Sequence, residues 1–208
     1  MKFLIILLLT INFIFSQENH FIKNMRQLIF EGKRSGEGYF DLSGDLLSFQ
    51  SERDDDNPFF QIYLLNFKNG DITKISPGIG KSTCSWIHPN KNKVLFASTH
   101  LDSNALLKQN QELEFRKSGK SRRYSWDYDE HYELFLYDLN TKKYEQITNS
   151  VGYDAEGAVS PDGDWVVFSS NRSGYNEEMS DFDRKLFEKD KSFKMDIYKK
   201  NINNGEII

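Results

Sequence analysis

Hydrophobic and polar positions alternate along most of the chain in short runs, and each run is bounded by a turn signal. Leu46-Leu-Ser-Phe-Gln50, Lys93-Val-Leu-Phe-Ala97 and Trp165-Val-Val-Phe-Ser169 are of strand length and rich in aromatic and aliphatic residues, and each predicts a β-strand. Each comes after a tight-turn sequence: Asp41-Leu-Ser-Gly44, His88-Pro-Asn-Lys91 and Ser160-Pro-Asp-Gly163. In the last of these Pro161 presets φ and Gly163 tolerates a positive φ, which is the backbone geometry a hairpin requires. A second strand pair then begins with Gln61–Phe67, Glu133–Leu139 or Asp196–Ile202. It continues through a polar turn (Lys68–Gly70, Asn140–Lys142 or Asn203–Gly205), and the last strand ends Lys74-Ile-Ser76 or Gln146-Ile-Thr148.

One unit is therefore written three times, opening at Gly38–Arg53, Cys84–His100 and Gly157–Arg172 and completed in each case by its second strand pair. The turn positions Asp41, His88 and Ser160 stand 47 and 72 residues apart. A four-stranded propeller blade takes about 40–50 residues, so the first interval fits and the second carries an insertion. It sits at about 103–126, between the second and third strands of the second unit, and a shorter one at about 174–190 takes the same place in the third. The expected fold is all-β: a partial β-propeller of about three four-stranded antiparallel blades, with short helical insertions in blades two and three. The blades fall at about 26–76, 77–148 and 149–208. Rings close with about 4–8 blades, and the third copy stops at Gly205-Glu-Ile-Ile208 where Lys-Ile-Ser would come next. The expectation is an N-terminal portion of a longer protein, with Met25–Ile29 resembling a last-strand end.

The Ser160–Gly163 turn, the run Val166–Arg172 and the strand Asp196–Tyr198 resemble the WD-like repeat of TolB-type periplasmic propellers, over about residues 26–208. The first two turns depart from that family's Ser-Pro-Asp-Gly. The resemblance implies a non-catalytic scaffold whose channel and rim dock a protein or cell-envelope partner. It also implies that blade entrances line a central channel, which makes Asp154 and Glu156 candidate ligand residues.

Charge and composition narrow the partner. The chain has 27 Lys+Arg against 31 Asp+Glu, a net of −4, and no long basic face, so no nucleic-acid partner is expected. Met1-Lys2, the apolar stretch Phe3–Phe15 and the small residue Ser16 read as a secretory signal peptide over residues 1–16, giving a periplasmic or secreted protein. Past it no apolar run reaches the roughly 18 residues of a membrane-spanning helix. The single cysteine, Cys84, excludes an internal disulfide and a cysteine-based zinc cluster.

The first insertion carries the densest chemistry. Asp102–Lys117 reads as a helix capped by Asp102 or Ser103, with Leu106, Leu107 and Leu113 as its apolar side. Five basic residues stand within Arg116–Arg123, and Tyr124-Ser-Trp-Asp-Tyr-Asp-Glu-His-Tyr-Glu133 comes next. If that run is extended, alternation places Asp127, Asp129, His131 and Glu133 on one face. It lacks the glycine and later glutamate of a calcium loop and a second histidine at zinc spacing, so no metal or cofactor is expected. The acids are expected to pair with the Arg116–Arg123 cluster while the aromatics pack the insertion onto its blade. As a ligand or partner surface, the candidates are Arg122, Arg123, Tyr124, Trp126, Asp127, Asp129 and His131, with Asp154 and Glu156. Ser180–Asp183 reads as a helix start. Neither a nucleophile elbow nor a phosphate loop is present, so no catalytic residue is assigned. The leading reading is an exported docking scaffold. The alternative is the propeller portion of a secreted hydrolase, a prolyl-oligopeptidase-like peptidase or an amidohydrolase, with its catalytic domain elsewhere. An oligosaccharide lyase would need histidines clustered in the channel.

Overall fold

The computed structural model describes residues 22–90, 92–123 and 127–208, so the signal peptide expected at 1–16 and the candidates Tyr124 and Trp126 lie outside the described residues. The described residues 22–30 belong to a unit separate from the rest of the chain and have neither helix nor strand. Met25–Ile29 is in no strand ladder among the described residues. A strand needs a ladder partner, and here the Gln27 side chain donates to the Ile29 carbonyl instead, at 2.7 Å.

From Glu31 onward the described chain forms three antiparallel sheets. The first is β1 (Arg34–Phe40), β2 (Leu46–Glu52), β3 (Gln61–Asn66) and β4 (Ile72–Lys74). The second is β5 (Ser82–Ile87), β6 (Lys93–Ser98), β7 (Glu133–Asp138) and β8 (Tyr144–Gln146). The third is β9 (Asp154–Val159), β10 (Trp165–Ser170) and β11 (Asp196–Asn201), with Lys200 bridging to Ile207 beyond it. Within each sheet the strands keep chain order, so neighbours in sequence are neighbours in the ladder. This is the expected all-β, partial-propeller architecture.

The unusual turns fold as the Ser-Pro-Asp-Gly turn does. Ser160 N donates to Trp165 O at 2.8 Å and Gly163 N to Ser160 O at 2.9 Å. Asp41 N to Leu46 O and Gly44 N to Asp41 O repeat the pattern, and His88 N to Lys93 O repeats its first half. The Ser160 hydroxyl accepts from Trp165 N at 3.0 Å, and in the first sheet the Asp41 carboxylate takes over, accepting from Leu46 N at 2.8 Å.

Alternation then decides the packing. In β6 and β7, Val94, Phe96, Phe135 and Tyr137 face Ile62, Leu64 and Ile75 of the first sheet. Their neighbours Leu95, Ala97, Leu134 and Leu136 face Ala155, Val159, Val166 and Phe168 of the third. Period-two side-chain alternation makes both faces of the middle sheet apolar, and seven core positions there are almost wholly shielded from water. The second and third sheets are tied together at the rim as well: the His88 ring lies 3.0 Å from Gly163 O through Nε2.

The insertions are helical. α1 (Ala105–Lys117) links β6 to β7. α2 (Ser173–Asn176), α3 (Asp181–Lys189) and a 3-10 turn (Lys191–Lys194) link β10 to β11, and Ser180 Oγ accepts from Asp183 N at 3.1 Å as an N-cap. Two expectations for α1 are corrected. Its N-cap is Asn104, without a side-chain cap, because the Asp102 carboxylate turns back to accept from Asn104 N at 2.9 Å. Leu106 and Leu107 are more than half exposed, and the buried residues are Ala105, Gln109 and Glu112. The helix lies over strand ends and loops, whose free backbone groups call for polar partners. Gln109 Nε2 donates to Asp56 O at 2.6 Å, Gly80 N donates to Gln109 Oε1, and Arg116 reaches Glu52 at 2.6 Å and Pro58 O at 2.8 Å.

Gly163 offers a test of the rim contact. Its φ is +85°, and an added Cβ would lie 2.6 Å from the His88 ring. Gly163→Ala is expected to destabilise the fold by at least about 1–2 kcal/mol, the cost of a left-handed non-glycine residue. In urea titrations, His88→Ala should recover only the steric part of that loss.

Candidate functional site

The innermost strands β1, β5 and β9 each break register at the same place: between Gly36 and Tyr39, between Thr83 and Trp86, and opposite the Val167–Ser169 step of β10. At each bulge a non-glycine residue adopts positive φ: Glu37 at 48°, Cys84 at 51° and Glu156 at 56°. Bulges re-aim side chains where they occur, and left-handed non-glycine residues are uncommon enough to mark a constrained position. Position 37 is 47 residues before 84, and 84 is 72 before 156, so the three are equivalents in the repeat. The residue after each is small (Gly38, Ser85, Gly157), and at Gly157 a Cβ would come within 2.8 Å of Leu95. Cys84 thus matches Glu37 and Glu156, one residue off the register in which it matches Gly38.

Together the bulges line a cavity of about 360 Å³, whose walls are Glu37, Tyr39, Cys84, Ser85, Trp86, Glu156, Gly157 and Ala158. Tyr39 and Trp86 form a tilted ring pair with centroids 5.6 Å apart. The Cys84 thiol is pushed up to about 12, chiefly by burial and further by the nearby Glu37 and Glu156 charges, against a lowering contact from Thr83. Burial, then Glu37, Cys84 and Glu156, likewise raises Tyr39. Ser169 Oγ donates to Glu156 Oε2 at 2.9 Å. The site is anionic, aromatic-walled and poor in nucleophilic character.

The sequence candidates divide. Glu156 lines this cavity, whereas Asp154 is wholly buried beside it in sequence, accepting from Ser170 Oγ and ion-paired to the Arg172 guanidinium. Glu37, Tyr39, Cys84, Ser85 and Trp86 are absent from the sequence candidates; placing the three inner strands in register by their turns would have put Glu37, Cys84 and Glu156 in one column. Asp127, Asp129 and His131 converge elsewhere, at the root of α1. Their basic partners are not the Arg116–Arg123 cluster but Lys81, 2.6 Å from Asp127, and Lys108, 2.9 Å from both oxygens of Asp129. Arg116 and Arg122 are engaged by Glu112, each at 2.6–2.7 Å, while Arg123 is exposed. Donor atoms of Asp102, Asp129 and His131 lie within 4.8 Å of one another. Lys108 Nζ already stands among them, 2.7 Å from Asp102 Oδ2, so the chain supplies its own cation.

Glu133 does not join that face, because the chain turns at 130–131 before β7 begins. It lies instead near Asp154 and Arg172 of the third sheet. Its counterpart in the first sheet is Gln61, 72 residues earlier. Gln61 Oε1 accepts from Ser76 Oγ and Gly78 N while its amide donates to Gly80 O at 2.9 Å. Glu133 Oε1 accepts from Ser150 N at 2.8 Å, but its Oε2 is buried without a hydrogen-bond partner among the described residues. Burial pushes both carboxyls up, with the Asp154 charge adding for Glu133. Arg172 pairs with Asp154 and lowers both, and the Glu133 carboxyl is raised to about 7.

Neither the protein-family models nor the curated proteins contain a match to the sequence. Solved structures do resemble the fold. TolB from Acinetobacter baumannii superposes with a TM-score of 0.51 at 17% identity, over 84% of this chain and 31% of that one. A TolB-designated protein from Agrobacterium tumefaciens gives 0.55 at 15% identity, over 86% and 50%. The β-propeller domain of the trilobed protease from Pyrococcus furiosus, described as having an open velcro topology, gives 0.50 at 13%, over 84% and 40%. The fold is that of a TolB-like β-propeller, in part. The chain spans at most half the length of these three structures.

The Glu133 environment gives a pH prediction. A carboxyl raised from 4.5 to about 7 on folding stabilises the folded state fully below 4.5, and that contribution is lost as pH rises through about 7. Glu133→Gln places an amide there, as Gln61 has. Its melting temperature is expected to exceed that of the wild type at pH 8, with the difference shrinking towards pH 5 in a thermal-melt series.

Proposed function

We propose that this chain is an exported, non-catalytic propeller scaffold that docks a partner polypeptide at the cavity formed by its inner strands. The observation that carries the reading is the convergence of three equivalent bulges on one cavity. Rigid strands hold two carboxylates and two aromatic rings there, and the one thiol is held protonated. Recognition sites are built from a rigid scaffold, aromatic surface and a few convergent polar groups. The leader-like residues 1–16 support export, and among the described residues no helix is long and apolar enough to cross a membrane. The likeness to the propeller domain of a protease supports a second reading, in which these blades serve a hydrolase whose catalytic domain lies in another part of the protein.

Export and docking are tested separately. Fused after residue 20 to alkaline phosphatase, which is active only outside the cytoplasm, the leader should give an active reporter, and the secreted product should begin at Gln17. A photo-crosslinking residue at Ala158, in the cavity, should give a discrete cross-linked product in the native host, while one at Asn203 should not. An inactive reporter defeats export, and equal labelling from both positions defeats docking at the cavity.

A further inference from the structure

Resting on that docking reading, we propose that the cavity recognises an organic cation, the ammonium or guanidinium of a lysine or arginine side chain on the partner polypeptide. The Glu37 and Glu156 carboxylates would hold it against the rings of Tyr39 and Trp86.

The charge balance of the molecule points here. Several buried carboxylates carry their own cation: Glu52 has Arg34 and Arg116, Asp102 and Asp129 have Lys108, and Asp154 has Arg172, whereas Glu37 and Glu156 stand exposed at the cavity. Among the described residues neither Glu37 nor Glu156 has an ion-pair partner, and none of the residues lining the cavity is basic. Ser85 is a second and independent sign. It lines the same cavity, is 2% exposed, and its Oγ has no hydrogen-bond partner among the described residues. A buried hydroxyl left without a partner is costly, and an N–H donor arriving in the cavity would supply one. The aromatic pair adds the electron-rich faces that draw an alkylammonium or guanidinium group once it is desolvated.

The geometry also chooses between kinds of cation. Among the described residues, the donor atoms that gather within 4.8 Å belong to Asp102, Asp129 and His131. Those of Glu37, Cys84 and Glu156 are spread too widely to close on one metal ion. A cavity of about 360 Å³ instead matches a side-chain head group with its last methylenes, at the small end of organic-ligand sites.

Calorimetric titration of the intact protein tests the proposal. The ligands are a lysine-containing hexapeptide, the same peptide with norleucine in place of lysine, the free amine agmatine, and magnesium and calcium chlorides. The lysine peptide is expected to bind saturably, at least about tenfold more tightly than the norleucine peptide, and less tightly as salt is raised. The Glu37→Gln/Glu156→Gln double variant should lose at least about tenfold in affinity for it, while Glu114→Gln, on the exposed side of α1, should lose nothing. Tyr39→Leu, which keeps both carboxylates, is the second variant should the double substitution fail to fold, and it should weaken binding about threefold. Agmatine binding more tightly than the peptide would make the ligand a free amine and overturn the partner assignment. A response to metal alone, equal binding by both peptides, or full affinity in the double variant would each overturn the cation site. None of these would disturb the export reporter or the Ala158 cross-link, so failure here is distinguishable from failure of the docking reading.

Discussion

Burial of the middle sheet on both faces is the constraint on which the rest of the structure depends. Val94, Leu95, Phe96, Leu134, Phe135 and Leu136 are each no more than 1% exposed, and alternate members of that set point to different neighbours. Fully burying such side chains is favourable by roughly 1.5–3 kcal/mol apiece, so β6 and β7 fasten the first sheet to one side and the third to the other. A sheet apolar on both faces is stable only between two others. The repeat is therefore an assembly rule as well as a sequence pattern, since each unit supplies the cover its neighbour requires.

That packing leaves the inner strands little freedom. β5 sits against both β1 and β9, and the small residue after each bulge lets the chain approach: at Gly157 the backbone runs close against Leu95 and Leu134 of the middle sheet. The bulge then turns Glu37, Cys84 and Glu156 into left-handed backbone conformations. A carboxylate, a thiol and a second carboxylate thus meet because three copies of one local irregularity converge. The outer ends of the sheets obey different chemistry. There the insertion α1 is held by hydrogen bonds and ion pairs to Asp56, Pro58, Gly80 and Glu52, so the exposure of its leucines costs the packing of the helix little.

Much of the fold is legible from the residues. The strand runs, the hairpin turns, the four-stranded ribbon of the first two units and the presence of helical insertions rest on local rules of period and turn chemistry, and Ser180 caps α3 as its sequence suggests. The site is legible only in Glu156. Alternation puts the acids of 127–133 on one face of an extended segment, but a turn at 130–131 sends Glu133 towards the third sheet and leaves Asp129 and His131 at the helix root. Pairing partners escape the sequence for a related reason: Lys81 and Lys108 are distant or unremarkable in sequence, yet the fold brings them within 3 Å of Asp127 and Asp129.

What the sequence determined by itself is periodic: which residues form ribbons, where they turn, and that the unit recurs. Those properties depend on neighbours a few positions away, so one dimension suffices to read them. The tertiary structure alone decided which equivalents face a common cavity, which buried acids acquire a base, and that Glu133 is left without an ion-pair partner among the described residues. Charge and desolvation act through space over a few ångströms, and only the packed sheets bring residues 37, 84 and 156 around one cavity.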